Sequence, residues 1–119
     1  MSREIKFRFW IEKLKKMGDW ETALKECNRL SLLNIEGWIP MQFTGLKDKN
    51  GVDVYEGDIY CYPNDFPSSP ESTPYEISEV IFIEGAFRIG DYMLSEYKEE
   101  GEVIGNIFEN PELLEDSYE

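Results

Sequence analysis

"TGLKDKNGVDVYEGDIYCY", residues 44–62, carries two glycine turns, Asp48-Lys49-Asn50-Gly51 and Glu56-Gly57-Asp58, separated by the short apolar run of Val52 and Val54. Three readings compete: a calcium loop, an active site, or the start of a small barrel. A calcium loop of the EF-hand kind opening at Asp48 finds Asn50 where an oxygen ligand belongs. It then fails at the fifth, sixth and twelfth positions, which are Val52, Asp53 and Ile59 instead of an acid or amide, a glycine and a glutamate. Nothing in the stretch supports catalysis. The chain has no histidine, so no histidine-based triad or histidine-assisted cysteine can be built. Glu56 and Asp58 could serve acid–base chemistry, but among 25 carboxylates such a pair arises by chance. No phosphate-cradling glycine loop is present. The structural reading remains. Asn50-Gly51 supplies left-handed backbone for a tight turn, Gly57 permits a second sharp bend, and Asp58 accepts backbone N–H bonds across it. Ile59-Tyr60-Cys61-Tyr62 then begins a strand.

Downstream of this stretch the pattern stays β. Strands are expected at 39–44, 52–54, 58–62, 76–84, 86–90 and 102–108, and short strands with glycine turns read as a sandwich or barrel. Val80–Ile83 is apolar on both faces, which predicts a central strand. Glu84-Gly85 suits a tight hairpin turn with Gly85 at positive φ. Residues 62–76 hold four of the six prolines and read as a loop inserted between strands. In the tail, Asn110 is placed as a helix cap and Pro111 at the first helical position, so that one turn pins Leu113 and Leu114 onto the barrel. The last five residues are expected to fray.

Upstream, residues 4–11 alternate. Ile5, Phe7, Phe9 and Ile11 face one way and Lys6 and Arg8 the other, the pattern of a half-buried strand, with Trp10 as an apolar residue on the polar side. Residues 12–17 read as a turn or strand end. Residues 19–33 read as a short helix capped by Asp19, with Trp20, Ala23, Leu24, Cys27 and Leu30 at helical spacing and fraying near residues 28–31.

The bulk numbers narrow function. At 119 residues with 41% hydrophobic residues, the chain can build a core. Its net charge of −13 is unevenly spread. Residues 1–50 carry ten Lys/Arg against seven Asp/Glu, and residues 51–119 carry two, Arg88 and Lys98, against eighteen. The acidic part would repel nucleic acid, so any contact with it would use the basic end: Arg3, Lys6, Arg8, Lys13, Lys15 and Lys16. Cys27 and Cys61 have no metal-binding spacing and are expected to be free thiols. No apolar signal core or membrane-length run is seen, which predicts a soluble, cytoplasmic protein.

The segments REIKFRFW (3–10), MQFTGLKDKNGVDVYEGDIY (41–60) and EVIGNIFENPELL (102–114) together resemble the YopX family of phage and prophage proteins in content, order and spacing. The resemblance implies an SH3-like C-terminal barrel after a separate N-terminal element, and brings no catalytic residues with it. The expected fold is therefore mainly β (α+β). Residues 1–40 would form the N-terminal strand and helix, and residues 41–119 the barrel with its 62–76 loop. The expected role is a non-enzymatic interaction module without cofactor or metal, encoded by a phage and acting in the cytoplasm of a bacterial host on an unknown protein partner. Its candidate contacts are Tyr55, Tyr60, Tyr62, Phe66, Tyr75 and Tyr92, and Asn50, Gly51, Gly57 and Asp58 are its structural turn residues. The alternative is a nucleic-acid-related regulator, with either the basic strand contacting nucleic acid or the acidic barrel mimicking it. If the basic strand face is exposed it can meet the acidic face of another copy; the competing expectation is that Lys6 and Arg8 pair with acidic residues of the same chain.

Overall fold

The computed structural model describes residues 4–26 and 35–116. Cys27, Arg3, the distal half of the expected 19–33 helix and residues 117–119 of the tail lie outside them. Within the described residues the chain is mainly β, as expected, and two curled sheets form half-barrels.

The alternating N-terminal segment forms β1 (Phe7–Ile11), and residues 12–15 turn it back into β2 (Lys16–Gly18). Asp19 then caps α1 (Trp20–Glu26), its carboxylate accepting the Thr22 N–H at 2.9 Å. The remaining strands are β3 (Trp38–Lys47), β4 (Asp53–Tyr55), β5 (Asp58–Pro63), β6 (Tyr75–Ile83), β7 (Ala86–Ile89), β8 (Tyr92–Met93) and β9 (Glu102–Asn106). A single 3-10 turn, Leu94–Glu96, links β8 to β9, and α2 (Glu112–Asp116) packs against β6. All pairings are antiparallel. The first sheet runs β2-β1-β3-β4 and the second β8-β7-β6-β5-β9. Strand β3 runs straight through residue 40, pairing with β1 over its first half and with β4 over its second.

Two apolar clusters hold these layers. Near the N-terminus, Phe9 and Ala23 are buried beneath Phe7, Trp20, Leu24, Ile35 and Trp38. In the barrel, Val54, Tyr60, Tyr62, Val80, Ile89, Leu94 and Tyr97 form one cluster. Trp10, on the supposedly polar side of β1, is buried and stacks on Phe108 with ring centroids 5.2 Å apart. Ile5, expected inward, is exposed because it precedes the first paired residue of the strand.

Three sequence expectations need adjustment. The loop is shorter than residues 62–76, since Pro63 still pairs with Tyr75 at the end of the β5–β6 ladder. Strand β9 stops at Asn106, whose side-chain carbonyl accepts the N–H groups of Phe108 and Glu109 and turns the chain. Asn110 does not use its side chain to cap α2. Its Oδ1 accepts the Asn106 N–H at 3.2 Å, and its backbone carbonyl accepts from Leu113.

Candidate functional site

The opening stretch is a structural joint. In its first turn Gly51 donates to the Asp48 carbonyl at 3.0 Å, and Asp48 donates to the Val52 carbonyl at 2.9 Å. Gly51 takes φ +81, and Asn50 is not left-handed. The geometry is a type I turn closed by a glycine bulge, which needs one positive φ where an Asn-Gly pair of the I′ type needs two. The buried Asp48 carboxylate accepts the N–H groups of Asn50 at 2.9 Å, Val52 at 3.0 Å and Val103 at 2.9 Å, tying the turn to β9.

In the second turn Gly57 sits at φ +87. Its N–H donates to the Val80 carbonyl at 2.9 Å and its carbonyl accepts from Ile107 at 3.0 Å, so the turn stitches β6 to the segment after β9. Asp58 accepts the Tyr55 N–H at 2.7 Å across the turn, as expected. It also receives the Arg8 guanidinium at 2.6 Å, a long-range ion pair in which Asp58 is almost fully enclosed. Arg8 lies over the Tyr55 ring, 4.7 Å from its centroid. Burial pushes the Asp58 carboxyl above its usual range, outweighing the downward pull of Arg8 and of the Tyr55 amide. On the same side, Lys6 and Lys47 both grip Asp53, at 2.9 Å and 2.7 Å.

This joint absorbs the expected turn residues and decides between the two readings of β1. Lys6 and Arg8 are half-buried and pair with Asp53 and Asp58 of the same chain, the alternative to an exposed basic face. Asp48 was legible only as a turn residue. Its reach to Val103, 55 positions away, had no sequence signal.

The six candidate aromatic contacts separate. Tyr60 and Tyr62 are 0% and 2% exposed, and both belong to the barrel core, which is a correction. Alternation places them on the inner face of β5, where the hydroxyl of Tyr60 donates to the Tyr97 carbonyl at 3.1 Å. Desolvation, with a smaller contribution from Asp48, pushes the Tyr60 phenol up to about 12. Tyr55 is half-buried between Phe43 and Arg8. Phe66, Tyr75 and Tyr92 reach the surface, Phe66 being 73% exposed and stacked on Tyr92 at 6.4 Å.

The larger apolar surface lies elsewhere. Val80–Ile83, apolar on both faces, was expected to form a central strand. Val80 is buried, but Ile81, Phe82 and Ile83 are 37%, 49% and 47% exposed. Strand β6 does occupy the centre of its sheet, yet β5 pairs with it only as far as Glu79. The last residues of β6 and the first of β7 continue as a two-stranded arm, turned by Glu84 and Gly85 at φ +53 and +83. Phe82 packs on Phe87 across the arm at 4.8 Å. Among the described residues, no cluster of histidine, cysteine or carboxylates is placed to hold a metal, and no helix is long and apolar enough to cross a membrane.

The architecture defines a class, a small mainly-β protein whose half-barrels are joined by glycine turns and a buried ion pair. Within that class the chain belongs to the YopX protein family, which matches residues 6–115. It is similar to protein EF1440 from Enterococcus faecalis, known from a crystal structure. The two share 27% identity at a TM-score of 0.63, over 95% of this chain and 99% of that one. No curated protein matches.

Proposed function

We propose that this protein is a non-enzymatic, phage- or prophage-encoded interaction module that acts in the host cytoplasm and grips a protein partner through the β6–β7 arm. One observation carries the reading: three consecutive large apolar residues, Ile81, Phe82 and Ile83, stand in solvent on an arm that extends past the strand beside it. A folded chain gains nothing from exposing such a run, and contiguous exposed apolar surface marks interaction sites. The stacked pair of Phe66 and Tyr92 supplies a second, smaller aromatic surface.

The test is affinity capture from a bacterial lysate with wild type and with an Ile81→Ser, Ile83→Ser variant of matched circular dichroism. Proteins retained by wild type and released by the variant support the reading, and an identical retained set defeats it.

A second reading, an acidic surface that mimics nucleic acid and occupies a host protein's site, draws on the excess of eighteen carboxylates over two basic residues in 51–119. If it holds, the retained proteins elute with DNA and are indifferent to the arm variant.

A further inference from the structure

The arm lacks a partner strand along one edge among the described residues. Strand β5 ends its pairing with β6 at Glu79, and the Gly57 N–H occupies the Val80 carbonyl at 2.9 Å. Beyond that point no strand among the described residues pairs with β6 on this side. Antiparallel ladders alternate. Ile83, opposite Ala86 at the two-residue turn, and Ile81, opposite Arg88, turn their N–H and C=O toward β7, while Val80 and Phe82 turn theirs outward. The Gly57 bond to Val80 fixes that sense. Phe82 therefore presents one outward donor and one outward acceptor, flanked by apolar side chains. Residues 81–83 contain neither a charge nor a proline of the kind that blunts open edges.

The charge around the edge selects its occupant. Glu79 adjoins it and has its carboxyl raised by burial and by Glu56 beside it. Glu84 forms the tip, and α2, which packs on β6, carries Glu112 and Glu115 in its first turn. Arg88, the basic residue of the arm, is turned onto the Asp91 carbonyl at 2.8 Å. A second copy would bring its own −13 charge to this surface. A strand bearing Lys or Arg between apolar residues would meet both the open ladder and the acidic surround.

We propose that the outer edge of β6 at Phe82 accepts an added strand from a partner protein, an extended segment in which apolar residues alternate with Lys or Arg. This rests on the reading of the arm as the interface and specifies how the arm binds.

The probe is acetyl-Lys-Val-Lys-Val-Lys-Val-Lys-amide, titrated into the 15N-labelled full chain. It is compared with its Glu-for-Lys twin and with a copy N-methylated at its two central residues, one on each edge. The expected result is binding of the Lys peptide, with amide shifts centred on residues 81–83 and slowed hydrogen exchange at Phe82. The Glu twin and the N-methylated copy should bind about tenfold more weakly or worse. Phe82→Pro should weaken binding similarly, because the lost N–H is the outward one and the β7 ladder is untouched. Phe82→Ala, which keeps the N–H, should bind far better than the proline variant. If the proline variant does not fold, the N-methylated copy decides the same point.

No binding of the Lys peptide, or shifts centred elsewhere, overturns the proposal. Equal binding of the Glu twin overturns the charge selection. Equal binding of the N-methylated copy overturns strand addition while leaving the arm as an interface through its side chains. A dimer in sedimentation that Phe82→Pro dissolves also overturns it, by making a second copy the occupant. The reading of the arm itself fails separately, in the capture experiment with the Ile81→Ser, Ile83→Ser variant.

Discussion

Asp48 and Asp58 each belong to a glycine turn, ten residues apart, and both are buried. Their environments differ. Asp48 is surrounded by backbone and accepts three amide N–H groups, two from its own turn and one from β9. Asp58 accepts one amide and otherwise depends on the guanidinium of Arg8, 50 positions earlier. The first carboxylate is satisfied mainly by the loop that carries it, which any folded version of that loop supplies. The second is satisfied only when β1 has docked beside β3. One turn thus closes a hairpin, and the other reports whether the N-terminal part has joined the barrel.

The largest break in that comparison should come from Arg8→Met. It leaves Asp58 enclosed with no opposite charge, and removing one partner of a buried pair costs about 3 kcal/mol or more. Urea melts should show a lowered midpoint. Adding Asp58→Asn to Arg8→Met should recover much of the loss, because the stranded charge is then gone while an acceptor for the Tyr55 N–H remains. A double variant no better than Arg8→Met would mean that Arg8 contributes through packing on Tyr55 and not through its charge.

Asp48→Ala should cost about 2 kcal/mol, since it strands amide donors at Asn50, Val52 and Val103. The distinguishing readout is hydrogen exchange. The Val103 amide should exchange faster in Asp48→Ala and not in Arg8→Met under native conditions. Equal acceleration in both would show that the two turns open together and that the contrast between them is false.

How much of this was legible in the sequence follows from the range of each interaction. The two turns, the cap at Asp19, the hairpin at Glu84-Gly85 and the existence of β1 are set by neighbours in sequence, and all can be read from residue type and spacing. The pairing of Arg8 with Asp58 is not, because alternation says only that Arg8 faces away from Phe9. That the face is covered depends on where β3 and β5 lie. Tyr60 and Tyr62 were misplaced for a related reason. Tyrosine suits both a rim and a core, and the choice is made by Ile89 of β7 and by Leu94 and Tyr97 of the 3-10 turn and its end, all later in the chain. The run of Val80–Ile83 gave the central place of β6 but not its exposure. An apolar run normally means burial on two faces, and only the unequal lengths of β5 and β6 show that this one outruns its cover. The family resemblance supplied the barrel, but not the arm.

The two turn glycines offer a finer comparison, because Gly51 and Gly57 have nearly the same φ, +81 and +87. A Cβ on Gly51 meets nothing within 4 Å, whereas one on Gly57 would lie 3.0 Å from the Met41 sulfur. Gly51→Ala should therefore cost only the backbone strain, about 1 kcal/mol. Gly57→Ala should cost about 2 kcal/mol, and Gly57→Val more, since a β-branched side chain adds to both the strain and the clash. Equal midpoints for the two alanine variants would mean that Met41 yields freely and that the second turn is no tighter than the first.

The smallest effect, and the most specific to Asp58, is on pH dependence. The Asp58 carboxyl is raised above the ordinary aspartate value of 3.8 in the folded protein. A raised folded value means that the native state holds this proton more firmly than the unfolded chain does. The stability gained from it is complete below 3.8 and is lost as pH rises through the folded value. Asp53 behaves in the opposite sense. Burial alone would raise it, but hydrogen bonds from Lys47 and Lys6 carry it below 3.8, so its contribution is present above that value and is lost as pH falls through the folded one. Carboxyl-carbon NMR titration should order the two, Asp53 ionising first and Asp58 later. In urea melts, the stability of wild type relative to Asp58→Asn should shrink as pH rises from acid toward neutral. Relative to Asp53→Asn it should grow over the same range. If the difference from Asp58→Asn grows instead, Arg8 outweighs the cost of enclosing Asp58. The second turn would then be held as securely as the first, and the contrast between them would be one of range alone.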